Sequence, residues 1–537
     1  MMNFLNFSFH TILVLLLLPF ISSLYIRKPK VVIVGAGIGG ASLSHFLSER
    51  FSDIEIILLE KSDEFGGRLS SIEITKGHSS DNTTNDLPEQ NKTVIELGAS
   101  FFIKENKNLI NLARFYHVDW KSADDEEKDT MGLWDGEKFL WETSKFEYLT
   151  LAKLLWRYGK TPFNVKTDVD EWVKQFGSIY SNVNKPFNDY KEFLERIGHK
   201  NASSTDFLQY LRGKNYNELY VNEFITGVIA GIYNQRSSEM QSFAGMISLA
   251  GVFGKAYSFK KGNKNLASSI IKGNPRVKAY INSEVIMLEK REDGKFSLDI
   301  STPQGLAFLK AADVIIFTSP IDEISFRNIN ITEKNKNFGK KYVRTYVTVV
   351  AGQLNCEYFE KNRIECPGSI LATRLKEKSI ISDYFRVCQK CYDVDGELLD
   401  VYKFQSIRKL KEFDLHTLFP YKYKALVQKI WKGYPNLVPI DDKDVPDIRL
   451  QNGLYFLNGI EALASCMEIE SIAARNIAGL IANNEGKNWA QINILKELYD
   501  YEAIEEEKKR LDELKRADYQ PEEWRDAPNK EFRTDEF

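Results

Sequence analysis

Apolar and polar positions along the chain change period several times, and each change marks an element. Val31–Val34 is a continuous apolar run rich in β-branched residues, the pattern of a strand buried on both faces. Ala41–Phe51 then carries apolar residues at helical spacing, and Ile54–Leu59 is a second apolar strand that ends in Glu60. Gly77–Lys92 is polar and turn-rich and predicts an exposed loop, after which Thr93–Phe102 resumes a strand ending at Gly98. Helical spacing returns in Phe146–Tyr158 and in the stretch holding Phe224, Ile225, Ile229, Tyr233, Phe243 and Met246. Short alternating strands are predicted around Val285–Glu289 and Phe296–Ile300, with buried strands at Asp313–Pro320 and Leu454–Leu457. From Met467 an Ala- and Ile-rich helix follows.

Between the first strand and the first helix lies Gly35-x-Gly37-x-x-Gly40, and Glu60 stands 20 residues beyond Gly40. Strand, glycine fingerprint, helix, strand and terminal acid together predict a dinucleotide-binding unit. One glycine makes the tight turn, one lets backbone approach the pyrophosphate, and one lets helix and strand pack closely; the acid meets the adenosine ribose. The fold class that follows is α/β: a Rossmann-like domain built from non-contiguous segments, with an inserted α+β substrate domain. Segment boundaries are expected at 29–104, 255–320 and 446–487 for the nucleotide domain and at 105–254 and 321–445 for the substrate domain.

Composition narrows the class. A net charge of −3 over 537 residues gives no basic field for nucleic acid. Phe9–Phe20 is apolar but shorter than the roughly 20 residues needed to span a bilayer. With Ser22 and Ser23 behind it, it reads as a signal peptide over 1–23; an uncleaved anchor flanked by Arg27, Lys28 and Lys30 is the alternative. Either way the body of the chain is expected to be lumenal and soluble, with room for peripheral membrane contact. Sequons at Asn82, Asn91, Asn201 and Asn330 agree with that route. Cys356 with Cys366, and Cys388 with Cys391, can close short-loop disulfides in an oxidising lumen, free thiols being the alternative. No metal site is expected, because no further Cys or His stands at zinc-like spacing. Residues 488–537 read as a solvated charged helix, Ala503–Ala517, and tail.

Further features favour FAD over a nicotinamide. Gly66-Gly67-Arg68 follows the ribose acid closely, so backbone can pass under the pyrophosphate and flavin while Arg68 balances charge. Gly98 supplies another close approach. Late in the chain, Gly459 ends a strand, and Met467 and Glu468 open a helix whose N-terminus can face the flavin.

These motifs resemble those of the flavoprotein amine-oxidase superfamily and, within it, the prenylcysteine oxidase (prenylcysteine lyase) family. The resemblance rests on Val31–Leu69, on Phe224–Gly251 with Lys261–Ile271, and on Tyr455–Ala478. Lys261 departs from it, standing where the family has a glycine. The resemblance implies oxidation of S-farnesyl- or S-geranylgeranyl-cysteine at the carbon beside sulfur, giving cysteine, a prenyl aldehyde and, with O₂, H₂O₂. Such chemistry needs a positioned C–H bond in a dry apolar pocket more than a strong base; Lys264 is the candidate polar group near the flavin. A lysosomal or extracellular location is implied. Two alternatives stand beside this reading: an amine or polyamine oxidase, and a non-catalytic secreted flavoprotein or prenyl carrier, which Lys261 would favour by crowding the site.

Overall fold

The computed structural model describes residues 28–75, 92–122, 129–182, 185–373, 379–486 and 489. The signal segment 1–23, the sequons at Asn82 and Asn91, and the tail beyond Trp489 lie outside the described residues.

Lys30–Val34 is central in a six-stranded sheet. Glu55–Leu59 and then Val277–Tyr280 lie on one side of it; Val314–Phe317, Leu454–Phe456 and the antiparallel edge strand Arg449–Gln451 lie on the other. The first five strands run parallel, and both faces of the sheet are covered, as its unbroken apolar runs require. Val31, Ile33, Ile56, Leu58, Val314 and Ile316 point into a core shared with the helices Ile38–Arg50, Lys264–Gly273 and Met467–Asn484. The alternate residues Val32, Ile57, Leu59, Ile315 and Phe317 pack on an antiparallel layer through Leu288, Phe296 and Leu298. A period of two thus sorts one strand's side chains between two cores.

The second large sheet has seven strands, in the order Tyr423–Pro435, Tyr342–Gly352, Glu397–Ser406, Ile381–Val394, Ser369–Ala372, Met131–Trp134, Phe139–Glu142. Its outer face holds an aromatic core of Trp134, Tyr384, Tyr402, Phe404 and Phe419. Its inner face is less apolar. One register row crosses all seven strands: Lys429, Val347, Gln405, Asp383, Leu371, Leu133, Trp141. The hairpin Ser71–Thr75/Lys92–Glu96 covers part of this face through Ile74 and Ile95. The helix Thr226–Tyr233 covers another part, where added methyls at Gly227 and Gly231 would touch Leu371 at 3.3 and 3.0 Å.

Two elements differ from the periodicity. Thr93–Phe102 is not one strand: Lys92–Glu96 ends before Gly98, and Phe102–Ile103 joins another sheet. Val221–Ile225 closes as a π-helical turn before Thr226–Tyr233. Cys356–Cys366 and Cys388–Cys391 both form disulfides.

Candidate dinucleotide site and the sheet that faces it

The three glycines of the fingerprint have three separate physical tasks. Gly35 has φ +112°, and an added Cβ would lie 2.8 Å from Thr318 Oγ1. A Cβ on Gly40 would lie 2.0 Å from the Gly35 carbonyl oxygen, so this position fixes how closely helix and strand pack. Gly37 is different. Its missing Cβ would find only the Gly66 carbonyl, at 3.8 Å, so the space before it is open. Gly37 is also the N-cap of Ile38–Arg50 and makes no side-chain cap bond, leaving the helix N-terminus free to meet an anion. Glu60 stands beside the turn, accepting from the Ala36 N–H at 2.8 Å and from the Ser62 N–H at 2.9 Å. An open glycine, an uncapped N-terminus and an adjacent carboxylate fit a dinucleotide's pyrophosphate and ribose.

Gly66 and Gly67 form the facing wall, with φ +126° and +56°, and the Gly66 N–H donates to the Ala36 carbonyl at 2.9 Å. Behind Gly66 sits Lys264, whose Cβ would touch an added methyl at 3.0 Å and whose Nζ pairs with Glu64 at 2.9 Å. Gly98 has no room for a side chain, being pressed between the Arg68 carbonyl and the Trp431 indole. Lys261 is exposed.

Arg68 is held from below. Its guanidinium donates to Glu461 through two nitrogens, to the Gly433 carbonyl at 3.1 Å and to Ser465 Oγ at 3.3 Å. Glu461, wholly buried, also accepts from the Tyr342 hydroxyl. Burial alone would raise the Glu461 carboxyl, but Arg68 holds it below the ordinary range. Its neighbour Glu470 is pushed well above that range, by burial first and by Glu461 next. Glu470 Oε2 lies 2.6 Å from where a Cβ on Gly39 would be, so the late helix meets the first turn of the fingerprint helix.

That late helix, Met467–Asn484, starts from Cys466 with no side-chain cap bond, and Met467 is buried. The Glu468 carboxylate turns away, accepting from the Asn108 and Leu109 N–H groups at 2.9 and 3.1 Å and from the Tyr180 hydroxyl at 2.7 Å. Its side chain therefore caps the helix Lys107–Phe115, leaving main chain as its contribution near Met467. Gly459 is pressed onto Pro446 and Tyr190. Burial pushes the Cys466 thiol up to about 12.

Across from these turns, the inner sheet face presents charge. Lys429 Nζ donates to Ser70 Oγ at 2.6 Å and lies over the Trp431 ring. Lys403 Nζ donates to Ser100 Oγ at 2.9 Å, and burial lowers its pKa against the pull of Asp383 and Glu96. Burial raises Asp383 and Glu96 each to about 7, and Glu96 Oε2 has no hydrogen-bond partner. Phe224, Ile225, Ile229, Tyr233, Phe243 and Met246 are all buried in one core, from which the Tyr233 hydroxyl reaches the Ser465 carbonyl at 3.2 Å.

The structure thus packs the Gly35–Gly40 turn, Glu60, Gly66, Gly67 and Lys264 against one another, and joins the late helix to them through Glu470 beside Gly39 and Ser465 beside Arg68. Sequence reasoning missed Glu461, Glu470, Tyr342, Lys403, Asp383 and Lys429. The signal for Lys429 was present in the alternation Val427, Lys429, Trp431, Gly433, which puts all four on one face.

Comparison with known proteins adds five findings. The prenylcysteine lyase family model matches residues 141–494, and an NAD(P)-binding Rossmann-like domain matches 33–116. Prenylcysteine oxidase 1 of Mus musculus is 26% identical over 473 residues, covering 84% of this chain and 88% of the mouse protein. Farnesylcysteine lyase of Arabidopsis thaliana is 25% identical, covering 84% of this chain and 87% of its own. Among solved structures, cyclohexylamine oxidase from Brevibacterium oxydans superposes with a TM-score of 0.52 at 13% identity, over 85% of this chain and 99% of the oxidase, a likeness of fold.

Proposed function

Because the chain belongs to the prenylcysteine lyase family, we propose that it is an FAD-dependent thioether oxidase. It cleaves S-farnesyl- or S-geranylgeranyl-L-cysteine to cysteine and a prenyl aldehyde, with O₂ taken to H₂O₂. The observation that carries this reading is the extent of the family match, 141–494, which includes most of the sheet facing the glycine turns.

FAD, when bound, supplies the hydride acceptor. The residues around it bind and orient. Gly37 and the N-terminus of Ile38–Arg50 would hold the pyrophosphate and Glu60 the adenosine ribose, while Gly66-Gly67 would back the cofactor. Arg68, fixed by Glu461, lends positive charge without being free to move. The backbone N–H groups at Met467 are the candidate donors to the flavin. On the sheet face Lys403 and Asp383 offer a cation and an acid suited to the two charges of an amino-acid head group. Lys264, beside Gly66 and paired with Glu64, would stand as the polar group next to the flavin. The prenyl chain lies along the helical layer from Phe224 to Met246.

A secretory route, ending in the lysosome or outside the cell, is the matching location. It is supported by the Phe9–Phe20 run, by the two disulfides and by the exposed sequons at Asn201 and Asn330.

The test is anaerobic mixing of the purified yellow protein with farnesylcysteine. The visible flavin absorbance should bleach and return on admitting air, with H₂O₂ released. Turnover of spermine or tyramine alone would instead make it an amine oxidase, and a perturbed but unbleached spectrum would make it a carrier. Glu60→Ala should weaken FAD retention, read as flavin lost on gel filtration.

A further inference from the structure

The helix Glu147–Tyr158 has its apolar side outward. Thr150, Leu154, Arg157 and Tyr158 face the protein at helical spacing. On the other side Tyr148 is 68% exposed, Leu149 40%, Leu151 44%, Leu155 41% and Trp156 88%. Phe146, just before the helix, and Phe163, in the first turn of Thr161–Phe176, extend the patch at 58% and 45%. A contiguous apolar surface of this kind on a folded protein marks an interaction site.

We propose that this helix docks the protein onto an anionic lipid surface, lying in the plane of the interface. Charge decides between occupants. Lys153 on the helix and Lys145 and Lys160 flanking it are exposed, and Glu147 is the one carboxylate between Lys145 and Lys160. Arg157 adds nothing to that field, because Glu223 neutralises it at 2.6 Å. Apolar and aromatic side chains on one face with lysines beside them make an interfacial helix: the rings and leucines enter the headgroup–acyl boundary and the ammonium groups meet lipid phosphates. A second copy is a poorer occupant, since an isologous contact would set the same lysines against each other. No helix among the described residues is long and apolar enough to cross a membrane. The inward side ties this helix to the substrate layer: the Tyr158 hydroxyl donates to Glu223 at 2.8 Å, and Glu223 lies in the π-helical turn leading to Thr226–Tyr233.

The experiment is vesicle co-sedimentation of the full, flavin-loaded chain, which needs no turnover and so fails or succeeds separately from the assigned reaction. Binding to phosphatidylcholine vesicles carrying phosphatidylserine should exceed binding to phosphatidylcholine alone by about tenfold or more and fall with added salt. L151E/L155E, at exposed positions, should reduce binding about tenfold with Tm and flavin content unchanged. K145E/K153E/K160E, which leaves every apolar contact in place, should abolish the preference for phosphatidylserine. Binding unaffected by both variants would overturn the proposal. So would no binding to either vesicle, or a dimer in sedimentation velocity that L151E/L155E splits.

Discussion

At the scale of single residues, the site rests on a half-buried cation whose wholly buried counter-ion comes from far along the chain. Arg68 and Glu461 are 393 positions apart and share two hydrogen bonds. Removing the acid leaves the guanidinium without its counter-charge and the Tyr342 hydroxyl without its acceptor. Glu461→Ala should therefore cost about 3–5 kcal/mol of unfolding free energy in chemical denaturation. A loss below about 1 kcal/mol would mean that Arg68 is already supported by water and the Gly433 carbonyl. The glycines of this site were legible in the sequence because backbone geometry restricts them to one residue type. Glu461 was not. Nothing local distinguishes a glutamate that will pair with a distant arginine, although it lies inside the Tyr455–Ala478 block that carried the family resemblance.

Elements were legible in proportion to how uniformly they are buried. The parallel strands Val31–Val34 and Val314–Phe317 are apolar on both faces and declare themselves. The long strand Ile381–Val394 does not: it places Tyr384 in an aromatic core and Asp383 on a charged face, and it is interrupted by bulges. Its role is clear only when the register row from Lys429 to Trp141 is assembled. The helix Thr226–Tyr233 approaches that row through Gly227 and Gly231, one turn apart. Gly231→Leu should drive a side chain into Leu371 Cδ2, 3.0 Å from an added Cβ, and towards Asp383 Oδ2 at 3.3 Å. The expected cost is about 1–3 kcal/mol, seen as a lowered Tm. An unchanged Tm would mean that the helix can lift from the sheet.

For the whole molecule, burial leaves a signature in pH. Glu96, Asp383 and Glu468 are each raised by burial to about 7 in the folded protein, against an ordinary value of 4.5 for glutamate and 3.8 for aspartate. Acids raised in this way contribute stability at low pH and lose it as pH rises towards 7. His199, lowered by burial, acts oppositely, losing stability as pH falls below its ordinary 6.5. Glu470, raised further still, acts with the three acids and against His199, so Tm should rise by about a few degrees between pH 8 and pH 5.5, measured by differential scanning calorimetry. A steady fall over that range would show these carboxyls to be ionised and solvated in the native state. The nucleotide sheet has another consequence, in time rather than in acidity. Its first strand pairs with Val314–Phe317, which in turn pairs with Leu454–Phe456. During synthesis, therefore, the glycine turn and its two opening strands leave the ribosome long before their neighbour on the other side exists. An apolar edge stays open until the chain is nearly finished, and such an edge is where a nascent protein aggregates or recruits a chaperone.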